Sequence, residues 1–163
     1  MNIKIRLMKK SDLPQLAKVY TAAYQNFAIG EQWTAKTAIK LMAYWFAKQP
    51  DLAFVAEVNK KTVGGFISAI KPWWDGNHLS DGEIFVDPNY QKQGVATKLS
   101  IALYEKALKK YRALIFDAFT FKKTKFPLEW YLSQGFVENK DWILISAATK
   151  KILAKLEESN LKH

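Results

Sequence analysis

The segment VDPNYQKQGVA, residues 86–96, places a proline, two glutamines and one glycine where an apolar run meets an amphipathic run. Pro88 has no N–H to donate, so strand pairing ends near it. Gly94 permits a sharp turn that gathers backbone N–H groups at the positive end of the following helix. This arrangement binds anions, above all phosphates, although an ordinary strand-to-helix turn needs the same two residues. Three side chains carry further donors: Gln91, Gln93 and Thr97.

A glutamate precedes this segment in the same apolar run. Strand alternation places Glu83 and Phe85 on one face and the next residues on the other. Burial would raise the pKa of this carboxyl group toward the range useful for a general base. The alternative is a glutamate at a strand end that pairs with a lysine. His78 is a second candidate base, ranked behind Glu83 because a loop histidine is more often solvated.

The run Gln91–Ala96 fits the signature Gln/Arg-x-x-Gly-x-Gly/Ala and resembles the GNAT superfamily of N-acetyltransferases. The longer stretch GEIFVDPNYQKQGVATKL resembles the central strand, loop and helix of that family, and EWYLSQGF resembles a downstream segment. The resemblance implies acetyl-CoA as co-substrate, with its pyrophosphate at the glycine turn and its pantetheine along the strand. It assigns this binding to Phe85, Val86, Gln91, Lys92, Gln93, Gly94, Val95, Ala96 and Thr97.

The same resemblance implies that Glu83 is the general base. It also assigns Tyr131 as the general acid beside the coenzyme sulfur. The residues alone indicate only an aromatic side chain in an amphipathic helix. Two positions depart from the family pattern, because Thr124 stands where Asn is common and Pro127 where Ala is common. Thr124 is therefore the candidate replacement for an Asn contact to the coenzyme. No cysteine is present, so we expect direct attack in a ternary complex and no acyl-cysteine.

Aromatic residues mark candidate acceptor contacts. The loop before the Glu83 strand holds Trp73, Trp74 and Asp75, and the family builds acceptor pockets there. Trp33 and Tyr24 are candidates for the opposite wall, since aromatic rings with an acid hold a cationic amine. Taken one at a time, each of these aromatic residues is more often an ordinary core or surface residue than a ligand contact.

The formal charge of +10 fits nucleic acid, an acidic substrate, an anionic cofactor or a solvated surface. No nucleic-acid-binding signature accompanies the charge, so we do not expect nucleic acid as a partner. Four lysines are candidates for the coenzyme's 3′-phosphate, with plain surface as the alternative: Lys92, Lys98, Lys123 and Lys125. The two histidines, one of them the terminal His163, have no metal-ligand spacing, and we expect no metal.

Periodicity predicts one mixed α/β domain over residues 1–163. Helices are expected from Leu13 through Tyr24 in a segment that Gly30 breaks, and over 34–48, 95–110, 128–134 and 147–160. Strands are expected over 2–7, 53–58, 63–70, 79–86, 113–119 and 141–146, with 113–119 buried on both faces and a bulge or close backbone approach at Gly64-Gly65. The family resemblance implies a mostly antiparallel central sheet with one parallel pair at the cofactor site. The helix expected over 147–160 is an addition to the family pattern.

These observations predict an N-acetyltransferase that moves the acetyl group of acetyl-CoA to a primary amine of a small molecule or peptide. An inactive acyl-CoA-binding module and a basic nucleic-acid-binding protein are the alternatives. No apolar run is long enough to span a bilayer, and no secretory signal is evident. We therefore expect a soluble cytoplasmic protein, with homodimer formation left open.

Overall fold

The structure of the protein is a computed structural model, described here for residues 1–25 and 30–160. The chain divides into two compact units, Met1–Thr120 and Phe121–His163. His163, expected to be idle, lies outside the described residues. Within the described part of the chain, no helix has both the length and the apolar composition needed to cross a membrane.

The first unit contains a five-stranded sheet in the order β1-β2-β3-β4-β5. Its strands are β1 (Ile3–Leu7), β2 (Ala53–Val58), β3 (Lys61–Trp73), β4 (Gly76–Val86) and β5 (Ile115–Asp117). The first four pair antiparallel, and β5 pairs parallel to β4. The predicted mixed sheet, mostly antiparallel with one parallel pair, is confirmed.

Three helices cover this sheet: α1 (Leu13–Tyr24), α2 (Ala35–Lys48) and α3 (Val95–Tyr111). Strand β2 shows how the two faces are divided, because successive side chains point to opposite sides. Ala53 and Val55 pack in one core with α1 and α2, while Phe54 and Ala56 pack in the other core with α3. The expected bounds of α2 and α3 agree with the observed bounds to within one residue, and α1 begins at Leu13 as expected but ends at Tyr24, before the predicted break at Gly30.

A bulge in β4 changes which face its side chains occupy. Ile67 pairs with Glu83 and Ala69 pairs with Ser80, so Asp81 and Gly82 together lie opposite one residue of β3. Before the bulge, Leu79 packs with α3; after it, Phe85 packs with α1 and α2, although the two positions differ by an even number. The extra residue inverts the alternation and turns Glu83 toward α1.

Gly82 is required at this bulge. Its φ is +112°, and a Cβ there would lie 2.1 Å from the carbonyl oxygen of Ile67. The hydroxyl of Ser68 donates to the carbonyl oxygen of Asp81 at 2.9 Å, which closes the bulge from the β3 side. Sequence reasoning missed this bulge, although Asp-Gly is a recognised turn signal.

The expectation at Gly64-Gly65 is confirmed as a close approach. A Cβ on Gly64 would lie 2.8 Å from the Phe85 carbonyl oxygen, and one on Gly65 would lie 2.9 Å from the Phe85 ring. The pairing of β2 with β3 also shifts register at this point, between Ala56 and Glu57.

Strand β5 differs from its prediction. It spans Ile115–Asp117 rather than 113–119, and Ile115 is 43% exposed, so burial on both faces is wrong. The apolar run resembled a parallel strand covered by helices on each side. Ala113 is buried in the α3 core, whereas Leu114 is exposed.

The second unit contains α4 (Lys125–Ser133) and α5 (Thr149–Asn160). The extra C-terminal helix is therefore confirmed. Residues 141–146 form no strand, so that prediction is wrong. Their β-branched and aromatic composition favours a strand, but a strand exists only where a neighbouring edge supplies hydrogen-bond partners.

Candidate functional site

Glu83 lies on the face of β4 that packs against α1. The hydroxyls of two α1 tyrosines donate to the same carboxylate oxygen: Tyr20 to Oε2 at 3.0 Å and Tyr24 to Oε2 at 3.2 Å. The tyrosines lie four residues apart, which places both on one face of the helix. Tyr24 was predicted as a site residue and Tyr20 was not. Their spacing of four residues indicates from the sequence that both lie on the same face of the helix.

The surroundings of Glu83 favour its protonated form. Burial is the main cause and raises its pKa to about 7, against the opposing effect of the two tyrosine hydrogen bonds. The negative charges of Asp81 and Glu31 raise this pKa further. A carboxyl group with a pKa near neutrality exchanges protons readily at physiological pH, as a general base must.

Aromatic rings surround this carboxyl group. Tyr20 stacks on Tyr24 with ring centroids 4.3 Å apart, and it meets the edges of Trp33 and Phe85, each at 5.2 Å. The indole N–H of Trp33 donates to Glu31 at 2.7 Å. The structure thus brings two of the predicted acceptor residues, Tyr24 and Trp33, to the same cluster as Glu83.

The other predicted acceptor residues lie at the opposite end of β4. Trp73 is the last residue of β3, and Trp74 and Asp75 form the turn of the β3–β4 hairpin, where Trp74 is 87% exposed. Along a strand each residue adds about 3.3 Å, so the strand start at Gly76 lies on the order of 20 Å from Glu83. The structure does not bring these three residues to the Glu83 cluster.

His78 is held between two carboxylates. Its Nδ1 lies 2.7 Å from Asp117 Oδ2 and its Nε2 lies 2.9 Å from Asp75 Oδ1. The hydrogen bond with Asp117 is the main cause of a raised pKa for this imidazole, opposed by burial and supported by Asp75. An imidazole with both nitrogens engaged by carboxylates ties β4, β5 and the hairpin turn together and has no free nitrogen to accept a proton from a ligand.

The loop after β4 presents the start of α3 to solvent. Gly94 has φ +82°, and no atom lies within 4 Å of the position its Cβ would take. The first intrahelical bond of α3 runs from the Lys98 N–H to the Gly94 carbonyl, so the N–H groups of residues 95–97 precede it. Val95 is buried in the α3 core, whereas Lys92, Thr97 and Lys98 are exposed.

The side chains of the two glutamines of this loop donate hydrogen bonds to backbone carbonyls nearby in the chain. Gln91 Nε2 donates to the Val86 carbonyl at 3.1 Å, and Gln93 Nε2 donates to the Asn89 carbonyl at 3.0 Å. Asp87 accepts from the Asn89 N–H at 3.0 Å, which closes the first turn. The donors that remain directed outward are therefore mainly backbone N–H groups.

The outer edge of β4 is open beyond Ser80. Pairing with β5 ends at Ser80 and Asp117, while β4 continues to Val86, and no strand of the described residues pairs with that stretch. The Asp87 N–H donates to Val63 on β3, so alternation directs the backbone groups of Ile84 and Val86 to the open edge. An extended ligand chain can pair with such an edge as an added strand does.

The remaining site candidates belong to the second unit. Tyr131 lies on α4, where it is buried and meets the rings of Trp130 and Phe136, each at 5.0 Å. Thr124 is the N-cap residue of α4, and its Oγ1 has no hydrogen-bond partner among the described residues. Gly135 ends the helix with φ +94°, as expected for a residue just beyond a helix C-terminus.

A comparison with models of known protein families identifies the family of this chain. The family model for the acetyltransferase (GNAT) domain matches residues 49–138, which include β2 to β5, the Gly94 loop and Tyr131. The chain belongs to the GNAT acetyltransferase family. Groups of His, Cys, Asp and Glu able to hold a metal ion are absent from the described residues of this acetyltransferase.

One curated relative supports this assignment, and two solved structures share the fold. An uncharacterized N-acetyltransferase of Methanocaldococcus jannaschii is 30% identical over 146 residues, covering 85% of this chain, and the chain spans only 64% of that relative's length. A protein of Pyrococcus horikoshii is 26% identical, with a TM-score of 0.69 and coverage of 90% of this chain and 93% of its own. The aminoglycoside N-acetyltransferase AAC(6′)-Iy in complex with CoA shares the fold, with 17% identity, a TM-score of 0.69 and coverage of 91% and 95%.

Proposed function

We propose that this acetyltransferase moves the acetyl group of acetyl-CoA to a primary amine of a small molecule or peptide. The observation that carries the proposal is Glu83, a carboxyl group with a pKa of about 7 on the strand that leads into the Gly94 loop. A base of this strength removes a proton from an ammonium ion at neutral pH and is regenerated by solvent. Family membership supports the acyl-transfer class.

The residues after β4 fit the phosphates of acetyl-CoA. The open space at Gly94 and the N–H groups at the start of α3 suit a pyrophosphate, and the exposed Lys92 and Lys98 suit the 3′-phosphate. Lys123 and Lys125 stay candidates for the same phosphate, and Thr124 for a further contact. The backbone groups of Ile84 and the Val86 N–H on the open edge suit pantetheine, whose amide groups pair as a peptide strand does. The backbone groups of Phe85 face β3, and the Val86 carbonyl already accepts from Gln91.

The proposed reaction is direct attack. The acceptor ammonium gives one proton to the Glu83 carboxylate, and its nitrogen then forms a bond to the acetyl carbon. The carbon–sulfur bond breaks, the thiolate takes a proton from the Tyr131 hydroxyl, and the new amide nitrogen loses its second proton to solvent. Tyr131 is assigned this role from its position in the family motif, and it recovers its proton from water.

The acceptor is expected to be a cationic amine. Tyr24 and Trp33 supply π-faces near Glu83, and the carboxylates of Glu31 and Asp81 add negative charge. For acceptor contacts we now favour Tyr24 and Trp33 over Trp73, Trp74 and Asp75, because the first two share the Glu83 cluster. Cytoplasmic location, a single folding domain over residues 1–163 and homodimer formation stay predictions.

Co-substrate binding is tested by unfolding the protein with and without acetyl-CoA. At 100 times its Kd, acetyl-CoA should add about 2.7 kcal/mol to the free energy of unfolding. Gly94→Asp should abolish this gain, because its carboxylate enters the space proposed for the pyrophosphate. Gly30→Asp is a matched control, since Gly30 has φ +83° and equally open space. No gain at millimolar acetyl-CoA, or equal loss in both variants, would contradict the proposed binding.

Turnover is tested with a panel of amines: a polyamine, an amino sugar, a lysine-containing peptide and a peptide N-terminus. Thiol release that depends on the amine supports acetyl transfer. Binding of acetyl-CoA without amine-dependent thiol release across the panel would favour the alternative of an acyl-CoA-binding module.

A further inference from the structure

Tyr20 is a buried residue whose hydroxyl donates to the carboxylate of the candidate base. Its side chain is 1% exposed, and its ring is held by Tyr24, Trp33 and Phe85. The hydroxyl donates to Glu83 Oε2 at 3.0 Å across the interface between α1 and the sheet. A buried tyrosine hydroxyl usually finds a hydrogen-bond partner, and here that partner is the carboxylate of Glu83.

Both hydrogen bonds to the Glu83 carboxylate are made to the same oxygen atom. Tyr20 and Tyr24 both donate to Oε2, and Oε1 accepts no hydrogen bond from residues 1–25 or 30–160. Two donors on one oxygen fix the plane and the rotation of the carboxylate, since a rotation about its last bond breaks both. Oε1 is thus the oxygen left for exchange with a ligand.

On the basis of the function proposed above, we propose that Tyr20 is a positioning residue that, with Tyr24, holds Oε2 of Glu83 so that Oε1 receives the proton of the acceptor amine. In this proton transfer the nitrogen–hydrogen bond of the ammonium breaks, an oxygen–hydrogen bond forms at Oε1, and the carboxylate becomes a neutral acid. Oε2 still accepts from both hydroxyls after this step, because the carbonyl oxygen of an acid keeps its lone pairs. No side chain has to move during the transfer, which is the benefit of a preorganised base.

The hydroxyls also set the strength of the base. Burial is the main cause of the raised pKa of Glu83, with smaller contributions from Asp81 and Glu31. The hydrogen bonds of Tyr20 and Tyr24 lower this pKa, because they favour the ionised form. Loss of one donor is therefore expected to raise the pKa of Glu83 by about one unit. A residue that only fills the core has no such effect.

The test compares Tyr20→Phe with Tyr104→Phe. Tyr104 packs on Phe66 and Phe116 in the α3 core, on the other face of the sheet, so its variant also removes one hydroxyl from a packed ring. In Tyr20→Phe the acid limb of kcat/KM should move upward by about one pH unit, giving up to a tenfold loss at pH 6 and a smaller loss at pH 9. Tyr104→Phe should retain the wild-type profile. An unmoved limb in Tyr20→Phe, or equal movement in both variants, would overturn the proposal.

A second readout does not depend on turnover. Carboxyl carbon NMR of glutamate-labelled protein, with Glu83 assigned by its loss in Glu83→Gln, reports the titration of this group directly. A higher Glu83 pKa in Tyr20→Phe but not in Tyr104→Phe supports the role of Tyr20 even where no amine in the panel is acetylated, a result that counts against the proposed function alone. If Tyr20→Phe does not fold, Tyr24→Phe removes the other donor to Oε2, and an unchanged titration there overturns the proposal.

Discussion

The two ends of β4 each carry a titratable side chain with a raised pKa, for opposite reasons. At one end, two carboxylates stabilise the charged form of His78. At the other end, burial disfavours the charged form of Glu83 while only neutral hydroxyls support it. A raised pKa is therefore not by itself a sign of function: at His78 it reflects a satisfied ion cluster, and at Glu83 it reflects a charge kept at a cost in stability.

The largest difference between the two ends should appear in turnover. Glu83→Gln keeps the shape and a hydrogen-bond acceptor but cannot take a proton, so kcat/KM at pH 7 should fall by about 10²–10⁴. His78→Gln should change it only a few-fold, because this side chain ties strands together and accepts no proton in the reaction. Steady-state kinetics below the unfolding temperature of both variants measure the contrast, and a comparable loss in His78→Gln would make His78 the base.

The bulge that separates the two ends provides the next test. Gly82→Ala places a methyl group 2.1 Å from the Ile67 carbonyl at φ +112°, whereas Gly76, at φ +135°, has open space. Gly82→Ala should cost about 3 kcal/mol of unfolding free energy from strain and overpacking, and Gly76→Ala about 1 kcal/mol from strain alone. Urea unfolding measures both changes. Equal costs would mean that the β4 backbone relaxes around the added methyl group.

A further contrast between the two ends concerns how the free energy of unfolding varies with pH. The folded-state pKa of Glu83, about 7, exceeds its ordinary value of 4.5, so its penalty is absent at low pH and grows to about 3 kcal/mol as the pH rises from 4.5 to 7. His78, also raised, contributes stability that is full below pH 6.5 and is lost as the pH rises through its folded-state pKa. Urea unfolding from pH 4.5 to 9 should show both losses in the wild type.

Two variants separate these losses. Glu83→Gln should remove the decline between pH 4.5 and 7, and His78→Gln should remove the decline that begins above pH 6.5. A wild-type curve that rises with pH across this range would contradict both assignments of sign.

Much of the segment expected to bind the coenzyme could be predicted from the local sequence. The turn at Gly94, the start of α3 at Val95 and the shared face of Glu83 and Phe85 depend on neighbours within a few residues, and all are observed. The glutamines were expected to face a ligand, yet they donate to loop carbonyls, because a nearby unpaired carbonyl is a closer acceptor.

The residues predicted to contact the acceptor amine were harder to place from the sequence. Trp73, Trp74 and Asp75 were grouped with Glu83 because they precede it in sequence, but they lie at the far end of a long hairpin. The segment 141–146 has the composition of a strand and forms none, since strand formation depends on a partner edge that composition does not reveal.

The sequence by itself determined the helices, the mixed sheet, the glycine turn and the acetyltransferase family, because each is written in local periodicity or in a contiguous motif. Only the tertiary structure decided which side chains meet Glu83. The bulge at Asp81 and Gly82 inverts the alternation of β4, and this brings the carboxyl group under Tyr20 and Tyr24, some 60 positions earlier in the chain. Such contacts depend on strand register and helix packing, which join residues that no local pattern connects.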